Sequence, residues 1–260
     1  MQRGGSSSIK FLVAAAIVIF SVVKYFASSE VNEITGEKQY ISLTKDQEVA
    51  MGINSAPQMA KEFGGLSQNA QYQQLVKSVG EKIVKTSDAG KTQYPFQFYV
   101  LADNRTVNAF ALPGGPIFIT EALLSRLESE DQLAGVLGHE IGHVIARHSA
   151  EQMSKQELTQ GIAGAAGVAA GDVNSAYYAQ VVANMVNMKY GREDELESDD
   201  LGVRFMMQAG YDPSALIGVM HILEEASGGS NVPEYQSSHP SPANRRAKIE
   251  ASIEKYKNGF

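Results

Sequence analysis

The residues whose types and spacing most clearly suggest chemistry are His139, Glu140 and His143, in the stretch Val-Leu-Gly-His-Glu-Ile-Gly-His-Val-Ile over 136–145. On a helix, residues four apart lie on one face, so the two imidazoles could bind one zinc ion. Glu140 would lie beside them, where a carboxylate can activate a water molecule. The pattern therefore predicts the core of a zinc peptidase site.

The surrounding residues favour this interpretation over a chance match on a solvent-facing helix. Ser129, followed three residues later by Gln132, fits a capping box and predicts the start of the helix. Apolar residues cover most of the helix circumference and predict burial; they are Leu133, Val136, Leu137, Ile141, Val144 and Ile145. Buried histidines and a buried glutamate need polar partners, and a metal ion would supply one.

A catalytic zinc ion keeps three protein ligands, so the motif needs a third. The chain has no cysteine, which leaves His148, His221, His239 and the acidic residues. Because His148 is five positions beyond His143, we expect it to point away from the metal-binding face and to serve as a cation at the helix end.

The acidic run over 191–202 is a stronger source of the third ligand. Apolar residues within it predict one buried side, and Glu195 and Asp199 share a helix face because they are four apart. One carboxylate could bind zinc while the other accepts a hydrogen bond from a ligand histidine. The alternative is a solvated helix face, the usual role of a run of charges.

Together, the His-Glu-x-x-His motif and the later pair Glu195 and Asp199 resemble the site of the M48 family of gluzincin metallopeptidases. Other segments are similar to the same family: 108–120 ahead of the metal helix, 209–213 after the acidic helix, and Ser238-His239-Pro240 with Arg245 near the end. The resemblance covers most of the chain beyond its N-terminal segment.

The resemblance implies a mainly helical α+β fold, a zincin-like metallopeptidase domain with a small β-sheet beside the motif helix. It implies that His139, His143 and Glu195 bind one Zn²⁺ per chain. It also implies that Asp199 holds a ligand histidine by its second ring nitrogen.

The same resemblance raises roles for His239 and Arg245. His239 could approach the zinc and stabilise the oxyanion of the tetrahedral intermediate, or fill the open position and close the site. Arg245 could orient His239 or contact the substrate. Tyr177, Tyr178 and Tyr190 could also donate to an oxyanion, and their spacing selects none of them.

The residues ahead of the motif helix predict a small sheet. Residues 96–101 have the composition of a strand, and Pro113-Gly114-Gly115 interrupts the segment 108–120. These turn residues alone indicate an ordinary hairpin. The resemblance favours an exposed edge strand to which an extended polypeptide substrate adds through main-chain hydrogen bonds; its residues are Asn108, Ala109, Phe110 and Ala111.

Composition narrows the class of protein. A chain of 260 residues suits one domain with a substantial core. Its formal charge of −7, without a basic stripe, argues against a nucleic-acid partner. The absence of cysteine excludes disulfide bonds and lipoprotein attachment.

The N-terminus reads as a targeting segment. Arg3 and Lys10 precede an apolar run over 11–23. We predict a signal peptide or membrane anchor over 1–29, a linker over 30–43 and a zinc metallopeptidase domain over 44–260. The positive end stays inside, so the domain would lie in the cell envelope, anchored to the inner membrane and facing the periplasm, or released there after cleavage.

The glycine-rich segment 161–171 predicts a packed hairpin between the two metal-binding helices, with a lid or a membrane-contacting segment as the alternative. Its glycines lower helix propensity.

These observations favour a zinc endopeptidase that acts on misfolded or damaged envelope proteins, a substrate class implied by the resemblance alone. One alternative is a chaperone-like or binding module whose zinc site is structural or closed by His239. Another is a different zinc hydrolase, such as an amidase. Glu140 favours an enzyme, because a structural site has no use for a general base. The oligomeric state stays open.

Overall fold

A computed structural model describes residues 5–170, 189–226, 235, 238–239 and 244–259. The chain divides into two compact units. The first comprises residues 1–44 and 150–186, and the second comprises residues 45–149 and 187–260.

The first unit contains helix α1 (Gly5–Ala27), strands β1 (Ser29–Val31) and β2 (Lys38–Tyr40), and most of α6 (His148–Ala170). Within the described part of the chain, Ser8–Ala27 is the one helical stretch long and apolar enough to cross a membrane. β1 and β2 pair antiparallel, with Ser29 opposite Tyr40. Part of the segment predicted as a linker is therefore a short hairpin.

Helix α6 continues through the glycine-rich segment. The predicted hairpin is wrong for residues 161–170, which are helical, while residue 171 lies outside the described residues. The physical reason is that a helix already formed upstream propagates at little cost, and the alanines between the glycines favour it.

The second unit holds the remaining elements. In chain order these are α2 (Lys45–Glu62), α3 (Ala70–Thr86), a 3-10 turn (Asp88–Lys91), β3 (Gln97–Leu101), β4 (Ala109–Ala111), β5 (Pro116–Thr120), α4 (Glu121–Leu124), α5 (Glu130–Ile145), α7 (Arg192–Gln208), α8 (Ala215–Ala226) and α9 (Arg245–Lys257). A mainly helical unit with a small sheet confirms the predicted fold class.

The small sheet has the strand order β3-β5-β4. β3 runs parallel to β5, and β4 runs antiparallel to it with Ala109 opposite Ile119. All residues of β5 are buried, so β5 is the central strand and β4 is an edge. The turn between them needs glycine, because Gly114 has φ +74° and a Cβ there would lie 2.4 Å from Cα of Val49.

Helix α5 begins at the predicted cap. Oγ of Ser129 accepts a hydrogen bond from N–H of Gln132 at 3.2 Å. Oε1 of Gln132 accepts from N–H of Glu128 at 2.7 Å, one residue before the cap, so the reciprocal half of the capping box is displaced by one position. From residue 132 to its end the helix is buried, which agrees with its apolar circumference.

Candidate metal centre

Helices α5 and α7 approach each other through backbone atoms. A Cβ at Gly142 would lie 2.9 Å from the carbonyl oxygen of Ser198, and a Cβ at Gly202 would lie 3.1 Å from the amide nitrogen of His139. A Cβ at Gly142 would force a shift and one at Gly202 would be tightly crowded, so glycine at these positions permits the contact. The close approach brings the acidic face of α7 against the histidines of α5.

Three side chains from these helices converge on one point. The Nε2 atoms of His139 and His143 lie 3.0 Å apart. Oε2 of Glu195 lies 3.5 Å from Nε2 of His139, and Oε1 lies 3.4 Å from Nε2 of His143. The structure thus brings together the three residues predicted as zinc ligands, all of them buried.

A fourth side chain, His239, joins this cluster. Nδ1 of His239 lies 3.0 Å from Oε1 of Glu195 and 3.4 Å from Nε2 of His139. The imidazole stacks on the ring of Tyr235, with 4.5 Å between the ring centroids. One donor atom from each of the four residues lies within 4.8 Å of the others.

The separations and the donor types fit a metal ion. Donors placed tetrahedrally around zinc, at bond lengths of about 2.0–2.1 Å, lie about 3.3 Å apart. The separations among these donors are 3.0–3.5 Å. Burial by itself would raise the pKa of Glu195, but His239, His139 and His143 lower it well below its usual range. The cluster therefore offers one anionic carboxylate and imidazole nitrogens, a donor set that zinc prefers.

Behind His139 lies the carboxylate of Asp199. Nδ1 of His139 donates a hydrogen bond to Oδ1 of Asp199 at 2.9 Å. Burial alone would lower the pKa of His139, but hydrogen bonds to Asp199 and Glu195 outweigh it and raise the pKa to about 9. Asp199 therefore fixes the ring so that Nε2 faces the cluster.

Arg245 lies on the far side of Asp199. Its guanidinium donates to both carboxylate oxygens of Asp199, at 2.6 and 2.9 Å, and its Nη1 lies 3.3 Å from Oε2 of Glu195. The side chain is only 2% exposed. Its donors face the two acidic residues of α7 and Nδ1 of His139, and the predicted roles of Arg245 towards His239 and the substrate stay predictions.

The position of His148 corrects the sequence analysis. Its Nδ1 lies 2.9 Å from Nδ1 of His143, so it does not point away from the metal-binding face. The expectation assumes an unbroken helix, whereas α5 ends at Ile145 and Arg147 adopts a left-handed φ of +57°. The chain reverses there and returns His148 to the side of His143.

Tyr190 covers the face of the His143 ring. The two rings are stacked, with 4.0 Å between their centroids. Its hydroxyl is hydrogen-bonded to Oγ of Ser149 at 2.9 Å. Tyr190 therefore packs against His143, whereas Tyr177 and Tyr178 lie outside the described residues.

Glu140 is fully buried beside the cluster. Both of its carboxylate oxygens have no hydrogen-bond partner among the residues that the structure describes. Nε2 of His239 lies 3.8 Å from Oε1 of Glu140. Burial raises the pKa of Glu140. An unsatisfied buried carboxylate costs free energy, and it is typical of a site that acts on a ligand or a proton.

Strand β4 carries the residues predicted to bind substrate. Asn108, Ala109 and Ala111 are buried and Phe110 is half-buried. No described strand pairs with the outer edge of β4. The structure therefore places an edge strand in the predicted segment, with its side chains directed largely into the protein.

The glycine contacts between α5 and α7 and the stacking of Tyr235 on His239 are absent from the sequence analysis. The four-residue spacing of Gly138 and Gly142 on α5 was a usable signal for the first. Tyr235 and His239 are also four residues apart, and N–H of His239 donates to O of Tyr235 at 2.7 Å, so their spacing was a usable signal for the second. Pro240, which follows His239 in the Ser-His-Pro segment, lies outside the described residues.

Comparison with known proteins identifies the family of the chain. The chain is 29% identical to mitochondrial metalloendopeptidase OMA1 of Schizosaccharomyces pombe, over 92% of this chain and 70% of that protein. It is 30% identical to the beta-barrel assembly-enhancing protease of Escherichia coli, over 90% of this chain and 49% of that protein. The chain thus spans about half the length of the E. coli relative. The model of peptidase family M48 matches residues 70–253, so the chain belongs to the M48 peptidases, which confirms the resemblance.

Proposed function

We propose that the chain is a zinc-dependent endopeptidase that cleaves misfolded or damaged polypeptides of the cell envelope. The observation that carries this proposal is the convergence of His139, His143 and Glu195 next to the buried carboxylate of Glu140. Family membership favours a peptidase over a chaperone-like module. A general base beside three metal-binding side chains is what hydrolysis needs.

In this proposal His139, His143 and Glu195 hold one zinc ion. When bound, zinc polarises the scissile carbonyl and makes a water molecule more acidic. Asp199 and Arg245 hold His139 and Glu195 in place from behind.

Glu140 moves the proton. It takes a proton from the attacking water and passes it to the leaving amine, as a general base that then acts as a general acid. Burial raises the pKa of Glu140, which makes its carboxylate a stronger base than an exposed glutamate. Its lack of hydrogen-bond partners among the described residues leaves both oxygens available to water.

The outer edge of β4 is the proposed binding site for the substrate backbone. Asn108 and Leu112 are bonded to β5, since N–H of Thr120 donates to O of Asn108 and N–H of Leu112 donates to O of Pro116. Because bonded and non-bonded pairs alternate in an antiparallel ladder, Ala109 and Ala111 direct their backbone groups outwards. An extended peptide can pair with these groups with little sequence preference.

The same edge already accepts a main-chain hydrogen bond. N–H of Tyr235 donates to O of Val107 at 3.3 Å. By the same alternation, Val107 directs its carbonyl outwards, two residues before Ala109. This contact supports binding by main-chain hydrogen bonds.

A second, latent state is supported by His239. With His239 included, the cluster has four protein donors, the number found in closed zinc sites. We propose that this arrangement holds the enzyme inactive and that His239 must withdraw before substrate enters.

For the location, we propose that α1 anchors the chain in the inner membrane with the catalytic unit on the periplasmic side. The apolar stretch Ser8–Ala27 is long enough to span. The name of the E. coli relative refers to β-barrel assembly, which supports envelope proteins as substrates.

The test uses the full chain, purified in detergent and loaded with zinc, with fluorescent casein as substrate. Glu140→Gln should keep the zinc and lose at least about 100-fold in turnover, because it retains the shape of the side chain without the base. Chelation should abolish cleavage by the unmodified chain. Retained turnover in Glu140→Gln, after removal of contaminating proteases, would refute the mechanism.

His239→Ala separates the latent state from the binding module. If the unmodified chain is inactive and His239→Ala cleaves casein, the site is a peptidase closed by its own histidine. If both are inactive although zinc is bound, the endopeptidase proposal fails for unfolded substrates and the binding module is favoured.

A further inference from the structure

Two polar side chains, His148 and Glu197, form a hydrogen-bonded path that ends at His143. This path is separate from the contacts that Asp199 and Arg245 make with His139. Nδ1 of His143 lies 2.9 Å from Nδ1 of His148. Nε2 of His148 lies 3.2 Å from Oε2 of Glu197. His148 is 1% exposed, whereas the side chain of Glu197 is 26% exposed. This hydrogen-bonded path from His143 through His148 to Glu197 therefore runs from the metal centre towards the surface of α7.

The direction of these hydrogen bonds follows from the metal centre. Nε2 of His143 faces His139 and Glu195, so its lone pair must be free to bind metal. The ring hydrogen of neutral His143 is then on Nδ1, which donates to Nδ1 of His148. His148 in turn carries its hydrogen on Nε2 and donates it to Glu197. Each donor along this path therefore has an acceptor, and all the hydrogen bonds point from His143 towards Glu197.

The backbone is arranged to put His148 in this position. Arg147 has a left-handed φ of +57°, a conformation that costs a residue with a side chain about 1 kcal/mol or more. Nε and Nη2 of Arg147 both donate to Oε1 of the buried Glu48 on α2. The Glu48 contact holds the reversal, and the reversal brings His148 back to His143.

We propose that His148 and Glu197 form a positioning pair for His143. The pair fixes the ring hydrogen on Nδ1 and aims Nε2 at the metal, as Asp199 does for His139. Stacking on Tyr190 limits rotation of the same ring. This inference rests on the proposed function only in that His143 binds zinc, and it requires no peptidase activity.

The positioning pair connects two helices. His148 is the first residue of α6, and Glu197 lies on α7. The orientation of His143 therefore depends on three helices, α5, α6 and α7, whereas Nδ1 of His139 is contacted by Asp199 on α7 and Arg245 on α9.

The test measures zinc affinity and the absorption spectrum of the Co²⁺-substituted full chain. His148→Ala should weaken zinc binding by about 10- to 100-fold, the usual effect of losing a side chain that holds a ligand histidine. It should also shift the Co²⁺ absorption bands, because His143 would bind in a different orientation. A role confined to packing would leave those bands unchanged.

Two conservative variants sharpen the test. His148→Asn keeps an acceptor at the δ1 position and loses the contact with Glu197, so it should recover most of the zinc affinity lost in His148→Ala. Glu197→Gln keeps an acceptor for His148, whereas Glu197→Ala removes it and should weaken zinc binding by about 2- to 10-fold. Glu193→Ala, at an exposed position of the same helix, is the matched control and should bind zinc as the unmodified chain does.

Zinc affinity and Co²⁺ spectra of His148→Ala and Glu197→Ala that equal those of the unmodified chain would overturn the proposal. If His148→Ala fails to fold, the zinc affinities and Co²⁺ spectra of Glu197→Ala and Glu197→Gln provide the test, because Glu197 is only half-buried. An unmodified chain that binds zinc but cleaves nothing would refute the endopeptidase proposal alone. An active chain whose His148 and Glu197 variants bind zinc normally would refute the positioning pair alone.

Discussion

The two histidines of the motif occupy different surroundings although they are one helical turn apart. His139 donates to a buried carboxylate that is held by a buried guanidinium. His143 contacts a second imidazole, which leads to a partly exposed carboxylate. Burial lowers the pKa of His143 well below its usual value, whereas the partners of His139 raise its pKa to about 9.

The difference shows that two residues of the same type in one motif can have different hydrogen-bond partners and different burial of those partners. Nδ1 of His139 meets the carboxylate of Asp199 directly, whereas Nδ1 of His143 meets an imidazole. Stacking on Tyr190 further restricts the ring of His143. We therefore expect substitutions around the two histidines to differ in the size of their effects.

The largest effect is expected from Asp199→Asn. Losing the charge removes the ionic partner of His139 and leaves Arg245 less well paired in a buried site, so zinc affinity should fall by about 100-fold. Glu197→Ala, behind His143, should have a clearly smaller effect. Competition with a chromophoric chelator measures both, and equal effects would contradict the asymmetry.

A smaller effect, on the free energy of unfolding, is expected from replacing the glycine that precedes each histidine. A Cβ at Gly142 would lie 2.9 Å from O of Ser198, but a Cβ at Gly138 would lie 3.3 Å from O of Gly202. Gly142→Ala should therefore lower the free energy of unfolding by about 1–3 kcal/mol, and Gly138→Ala by less. Thermal unfolding of the zinc-free chain measures this.

Gly164→Ala is the control for these variants, because no atom lies within 4 Å of a Cβ at that exposed helical position. It should leave stability unchanged or raise it by up to about 1 kcal/mol through helix propensity. Equal destabilisation by all three alanines would show that the close helix contact is not the cause.

The smallest effect, again on the free energy of unfolding, is expected at the ion pair between Asp88 and Arg204 on α7. This pair lies away from the predicted metal ligands. Burial alone would raise the pKa of Asp88, but hydrogen bonds from Gln208, Lys91 and Arg204 lower it from 3.8 to about 2. A lowered folded-state pKa stabilises the protein fully above about pH 4, and this stabilisation is lost as pH falls towards 2.

Asp88→Asn should therefore cost about 1–2 kcal/mol at neutral pH and flatten the loss of stability in acid. Zinc affinity should stay unchanged, because Asp88 contacts none of the metal-binding side chains. Acid titration followed by circular dichroism tests the first point. A change in zinc affinity would show that the α7 contacts cannot be treated separately.

Much of the fold was accessible from sequence patterns. The helix at 130–145 and the strand at 97–101 follow from the apolar periodicity, the Ser129 cap and the β-branched or aromatic residues. The hairpin at 29–40 and the unbroken helix over 161–170 were not predicted, because short polar strands and glycine-rich helices depend on their neighbours more than on propensity.

The sequence by itself determined the motif and the need for a third ligand other than cysteine, because four-residue spacing and the absence of cysteine constrain those directly. The family was indicated by the resemblance of several motifs. Only the tertiary structure decided the surroundings of each ligand. A left-handed residue at Arg147 turned His148 back, and Arg245 and His239 arrived from segments about 100 residues away. Such contacts depend on how segments far apart in sequence pack together, which the residues next to each histidine do not specify.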